Sequence, residues 1–239
     1  MHINPRFSLA LTLIAPAVLS AQLNVSLGSN IGQTLPDLTG AVVYLISNDN
    51  NLPPSQPTKT TQSKASAEMA QQNLQFDPYI RVVQSGTPVS FPNKDDVAHH
   101  VYSFSPNHAF ELELYKGRDV PKKHFSTPGL VSLGCNIHDW MEGYIYIVNT
   151  PWFSQVVNHS GANNSGAKQN SQMAQIFDVP KGVYTLRFWH PGMDRKEAVN
   201  QTLDIQQDVQ TVNLALSYTI KASAQPLPPE EQFDDTSDY

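Results

Sequence analysis

Apolar residues in this chain come in short runs, and they do not recur at the spacing of a helix. The runs Asn73 to Phe76, Tyr79 to Val83, Pro88 to Phe91, His100 to Phe104, Phe110 to Leu114, Gly129 to Leu133 and Tyr144 to Val148 are β-branched or aromatic, punctuated by Gly, Pro, Asn and Asp. Short strands so closely spaced predict a β-sandwich or barrel. Ala41-Val-Val-Tyr-Leu-Ile46 reads as an earlier strand, and strands return at Ala174 to Phe177, Gly182 to His190, Ala198 to Ile205 and Val209 to Leu216. The turn Val179-Pro-Lys-Gly182 suits a hairpin. Two stretches break the pattern. Residues 48–66, rich in Asn, Pro, Thr, Ser and Gln, and residues 155–172, with Asn-His-Ser-Gly-Ala-Asn-Asn-Ser-Gly, show no periodicity and read as linkers or loops. The expected class is all-β.

The first residues change the picture by adding a targeting signal. One basic residue, Arg6, precedes the apolar run Phe7 to Leu19, and the small pair Ser20-Ala21 follows. That is the architecture of a signal peptide over residues 1–21, and the run is short for a membrane span. The expectation is an exported, periplasmic chain with no membrane span after cleavage. At the other end Glu230, Glu231, Asp234, Asp235 and Asp238 follow the last basic residue, Lys221. They account for most of the net charge of −6, so the body is nearly neutral. Residues 222–239 read as a disordered acidic tail, and no basic cluster suggests nucleic acid as a partner.

Candidate chemistry concentrates in one place. Cys135 is the only cysteine of the 239 residues, so it has no partner for an internal disulfide in an oxidising compartment. It opens the run Cys135-Asn-Ile-His138-Asp-Trp-Met141, which lies between two strand-like segments, and His99 supplies a second imidazole upstream. A thiolate, two imidazoles and a thioether form the ligand set of a blue-copper site. A chelate from residues three apart has to sit on a tight loop. Elsewhere His108, His124, His159 and His190 lack ligand spacing, and Glu111 and Glu113 fall on one solvent-directed strand face. No phosphate loop, metalloprotease motif or nucleophile elbow is present, so the reading is not that of an enzyme.

Residues 66–149 resemble the cupredoxin family, the fold of plastocyanin, pseudoazurin and amicyanin. The likeness runs through Phe76-Asp-Pro-Tyr-Ile, Gly86-Thr-Pro-Val-Ser-Phe-Pro-Asn93, Asp95, His99, Thr127-Pro-Gly129, Cys135, His138, Met141 and Gly143. More narrowly, His99-His-Val-Tyr-Ser-Phe-Ser105, Phe110-Glu-Leu-Glu-Leu-Tyr115 and Leu133-Gly-Cys-Asn-Ile-His-Asp-Trp-Met141 resemble exported cupredoxin-like proteins labelled methylamine utilisation proteins. The resemblance implies one copper ion held by His99, Cys135, His138 and Met141. It selects His99 over His100 because the first histidine of the family's Pro-His-Asn-Val pattern is the ligand. Strand alternation turns the two rings to opposite sides. His100, in place of the usual Asn, either hydrogen-bonds the ligand loop or competes for the metal.

The flanks resemble the two halves of a transthyretin-type, carboxypeptidase-regulatory-like sandwich. The expected architecture is therefore a Greek-key cupredoxin sandwich at 67–149 inserted between residues 22–47 and 150–221 of a second, smaller sandwich, with a linker at 48–66. Two functions fit. One is a one-electron carrier between redox partner proteins; the other is a copper-binding module that stores, delivers or senses the metal, or an interaction module, without an electron-carrier role.

Overall fold

The computed structural model describes residues 20–32, 34–49, 66–117, 120–162, 168–193, 199–217, 219–222 and 225–228, and all regular elements among them are β-strands. The all-β expectation holds. No helix among the described residues is long and apolar enough to cross a membrane. The leader expected over 1–21 lies outside them except for Ser20 and Ala21. Both belong to the first strand, where Ala21 is buried.

Two four-stranded sheets are built from the ends of the chain. In one, β1 (Ser20–Ser29) runs between β15 (Lys168–Pro180), antiparallel to it, and β18 (Val209–Leu216), parallel to it, with β14 (Val157–Ala162) beyond β15. In the other, β2 (Val42–Ser47) lies between β13 (Phe153–Gln155) and β16 (Gly182–Trp189), and β17 (Val199–Ile205) pairs with β16. Alternate side chains of both sheets, among them Leu23, Val25, Val43, Leu45, Ile176, Tyr184, Leu186, Phe188, Ile205 and Leu216, meet in one core. The period-2 pattern puts every second residue there.

The strands between β2 and β13 form separate sheets. A five-stranded sheet has the order β6 (Ile80–Gln84), β12 (Glu142–Val148), β11 (Gly129–Cys135), β8 (His99–Ser103) and β9 (Phe110–Tyr115). A three-stranded sheet contains β10 (Lys122–His124), β7 (Pro88–Ser90) and β3 (Ala67–Glu68), and a short ribbon pairs β4 (Ala70–Gln72) with β5 (Gln75–Asp77). Their shared core includes Met69, Phe76, Val89, Phe91, Val131, Ile145, Ile147, Cys135 and Met141.

β2 explains how the two parts meet. Val43 and Leu45 face the outer core, whereas Val42 and Tyr44 join Ile80, Val82, Val148, Phe153 and Trp189 in a third apolar cluster against the central sheet. A strand buried on both faces reads as an unbroken apolar run, which Ala41 to Ile46 is. Trp189 seats against Tyr146 and Tyr144, with ring centroids 4.9 and 5.8 Å apart.

Three sequence expectations are corrected. Residues 155–172 are not a loop throughout: β14 and β15 pair from Val157↔Met173 to Ala162↔Lys168. The turn at 179–182 makes no hairpin, because β15 and β16 belong to different sheets and the chain crosses between them there. The tail does not begin free at 222. Gln225 donates its side-chain amide to the Phe76 carbonyl at 2.9 Å, and Gln75 donates to the Pro226 carbonyl at 2.9 Å. The acidic residues Glu230 to Asp238 lie outside the described residues, as does most of the 48–66 linker.

Candidate metal centre

The ligand loop is the connection between two paired strands. β11 and β12 are antiparallel with Gly134 opposite Glu142, so Cys135 to Met141 closes the end of the hairpin. Cys135 is also paired to Val101 of β8, which fixes the loop's first residue from the other side. Within the loop the Asn136 amide donates to the His100 carbonyl at 3.0 Å and the Met141 amide donates to the His138 carbonyl at 2.9 Å. Glycine is required behind it. A Cβ on Gly143 would stand 2.9 Å from the Phe76 Cβ and 3.0 Å from the Met69 Cε.

His99 arrives from a different turn. Asn93, buried, accepts the Asp95 amide on its Oδ1 at 2.9 Å and donates to the carbonyls of Val97 and Tyr115 at 2.8 and 3.1 Å. This Asx-type turn sets the start of β8, and with it His99.

The two segments bring three donors together. Cys135 Sγ lies 3.7 Å from Nδ1 of His99 and 3.7 Å from Nδ1 of His138, and the ligand atoms of all three fall within 4.8 Å of one another. His99 is fully buried, Cys135 is buried and His138 is half-buried, so the cluster meets solvent through the His138 ring. Met141 is buried in the same apolar cluster as Cys135. Met69 is buried there as well.

The electrostatics suit a metal-binding thiolate. Burial opposes ionisation of the Cys135 thiol. Hydrogen bonds from His99, from the backbone amides of His100 and Ile137, and from His138 together outweigh it and bring the pKa down from 9.0 to about 6. Burial likewise opposes the charged form of His99, but its hydrogen bonds to Cys135 and Asp95 and their negative charge reverse the balance and raise it above 6.5. Asp95 Oδ2 stands 2.9 Å from Nε2 of His99, on the side of the ring away from Cys135.

His100 is turned elsewhere, as strand alternation requires. Its Nε2 is 2.6 Å from the Glu111 carboxylate and its Nδ1 is 3.4 Å from the Asn136 side-chain amide, so it touches the loop without joining the cluster. Among the described residues His108, His124, His159 and His190 are outside the cluster. Sequence reasoning missed the role of Asp95, although its spacing of four from His99 just after an Asx turn was a usable signal. It also missed the contact that Trp140 makes, donating its indole N–H to the Leu74 carbonyl at 3.1 Å.

No family model matches the chain, and no curated protein matches it. Solved structures do. A copper-containing nitrite reductase from Thermus scotoductus SA-01 is 20% identical at a TM-score of 0.34, covering 35% of this chain, which spans only 22% of the reductase. A purple cupredoxin from Nitrosopumilus maritimus is 21% identical at a TM-score of 0.33, over 35% of this chain and 100% of its own. A reduced amicyanin variant is 16% identical at a TM-score of 0.32, over 35% of this chain and 82% of its own. The structural neighbours of this chain thus include cupredoxins, over about a third of its length.

Proposed function

We propose that this chain is an exported, periplasmic, mononuclear type 1 copper protein that carries one electron at a time between redox partner proteins. The observation that carries the reading is the cluster of Cys135 with two imidazole nitrogens, each 3.7 Å from its sulfur. Donors held about 2.0–2.3 Å from one ion lie roughly 3–4 Å apart, so this separation suits a shared ion. The donor chemistry suits copper: a soft thiolate, two imidazoles and a buried methionine next in the loop.

When bound, copper supplies a one-electron couple. The chain's residues do the rest. Cys135 offers a thiolate that is already favoured near neutral pH, and His99 and His138 offer Nδ1 lone pairs. Met141, buried in the same apolar cluster as Cys135, would offer its thioether to the ion. Strands β8, β11 and β12 hold the ligand-bearing segments in one sheet, which limits rearrangement between oxidation states. His138, half-buried beside exposed Ile137, would offer an electron a route from the cluster to the surface.

The test is an optical and EPR spectrum of the copper-loaded chain, with voltammetry. An intense visible thiolate-to-copper band and reversible one-electron exchange are expected. A colourless complex that surrenders Cu(I) rapidly to a chelator would replace this reading with metal storage or delivery.

A further inference from the structure

Between β4 and β5 the backbone passes through Asn73 and Leu74, both at a φ of 56°. A left-handed leucine is uncommon, and such a strained residue persists only where its surroundings impose the conformation. The surroundings here are specific. One oxygen of the Asp95 carboxylate accepts the Asn73 amide at 2.6 Å, and the other accepts the Leu74 amide at 3.0 Å. The Leu74 carbonyl accepts the Trp140 indole N–H at 3.1 Å.

Both ends of this arrangement reach an imidazole. The Asp95 oxygen that takes the Leu74 amide is the one 2.9 Å from Nε2 of His99. The Trp140 ring lies against His138, with centroids 5.2 Å apart and planes tilted by 54°. His99 and His138 come from segments far apart in sequence, and the same two-residue turn stands behind each of them.

We propose that Asp95, the Asn73-Leu74 turn and Trp140 form one brace that orients both imidazoles of the cluster. Asp95 accepts the Nε2 proton of His99, which fixes the tautomer and leaves the Nδ1 lone pair directed at Cys135. The two turn amides keep the carboxylate from rotating away. Trp140, pinned through its indole N–H to the same turn, limits rotation of the His138 ring. Asp95 and Trp140 are positioning residues, acting through the imidazoles and not on any metal themselves. Their purpose rests on the copper reading above, but their geometry does not.

The test uses the full chain and begins without metal. Nitrogen-15 labelling of the histidines, read by NMR at alkaline pH where the imidazoles are neutral, should show His99 as a single tautomer protonated at Nε2. Asp95→Ala should lose that single tautomer, and Asp95→Asn, which keeps an acceptor oxygen, should largely restore it. In the copper-loaded chain, Asp95→Ala should weaken metal binding about 10–100-fold and Trp140→Phe should weaken it less, each with a change in EPR hyperfine splitting. Combined, the two should cost less than the product of their separate factors, because both act through one turn. An unchanged His99 tautomer in Asp95→Ala overturns the proposal, as does a strictly multiplicative double variant. Should Asp95→Ala fail to fold, Asp95→Glu displaces the carboxylate by one methylene, and an undisturbed His99 tautomer there is equally decisive. A chain that gives the expected tautomers but takes up no copper refutes the copper reading and leaves the brace standing.

Discussion

His99 and His190 are both buried, at 0% and 1% exposure, yet they are driven in opposite directions. His190, in the outer sandwich beyond β16, accepts the Gly192 amide on Nδ1 at 3.1 Å, and its own amide points at the Met193 sulfur. Burial pushes it down to about 4, and the charge of Asp37 only slightly opposes this. His99 suffers the same desolvation, but Cys135 on one nitrogen and Asp95 on the other reverse the outcome. Burial alone makes a histidine a neutral turn-former, and anionic partners on both nitrogens make it a ligand-in-waiting. The two regions differ likewise in their cores: the outer one borders a single buried imidazole, His190, whereas the central one admits a thiol and borders buried Gln71, Asn93 and His99.

The comparison breaks most completely at the sulfur. Cys135→Ser should abolish the visible band and weaken copper binding by of order 100-fold or more. In the metal-free chain, NMR titration should show His99 less basic, moved toward His190. Next in size is an acid effect on the outer sandwich. The unfolded chain protonates His190 near 6.5 and the folded chain only near 4, so its contribution is complete above 6.5 and is lost as pH falls toward 4. The loss amounts to about 3 kcal/mol. Denaturant unfolding at a series of pH values checks this, and His190→Asn should flatten the slope in that window.

A smaller effect sharpens the other half. In the metal-free chain the ultraviolet thiolate absorbance should rise with a midpoint near pH 6, well below the ordinary 9.0. Because the folded value is depressed, the associated stability is complete above 9.0 and is lost as pH falls through about 6. His99→Ala should move the midpoint up, since its hydrogen bond is the largest of the depressing influences. Smallest of all, His100→Asn should leave the visible spectrum in place and change stability by less than about 0.5 kcal/mol, because His100 faces Glu111. A lost band in that variant would make His100 part of the centre.

What could be read from the residues alone follows from what each signal depends on. The spacing Cys135-x-x-His138 is local, so a tight loop between strands was legible, and the unbroken run Ala41 to Ile46 announced a strand, though its cover on both faces emerged only in the fold. β14 and the start of β15 were not legible. Val157 to Ala162 and Lys168 to Gln172 are mostly Asn, His, Ser, Gly, Lys and Gln, and they pair through backbone hydrogen bonds without an apolar period to betray them. The turn at 179–182 carries ordinary turn chemistry, which says where the chain bends but not whether the strands on either side share a sheet. The brace behind the imidazoles was hidden for a similar reason. It joins residues 74, 95 and 140 through a leucine's conformation, and leucine gives no sign of a left-handed turn.

The double burial of β2 makes its sheet a party wall. Val43 and Leu45 seal one room while Val42 and Tyr44 seal the other, so melting either compartment strips the shared partition of half its lining. Heat should therefore collapse both together, and a calorimeter should record a single endotherm for two cores.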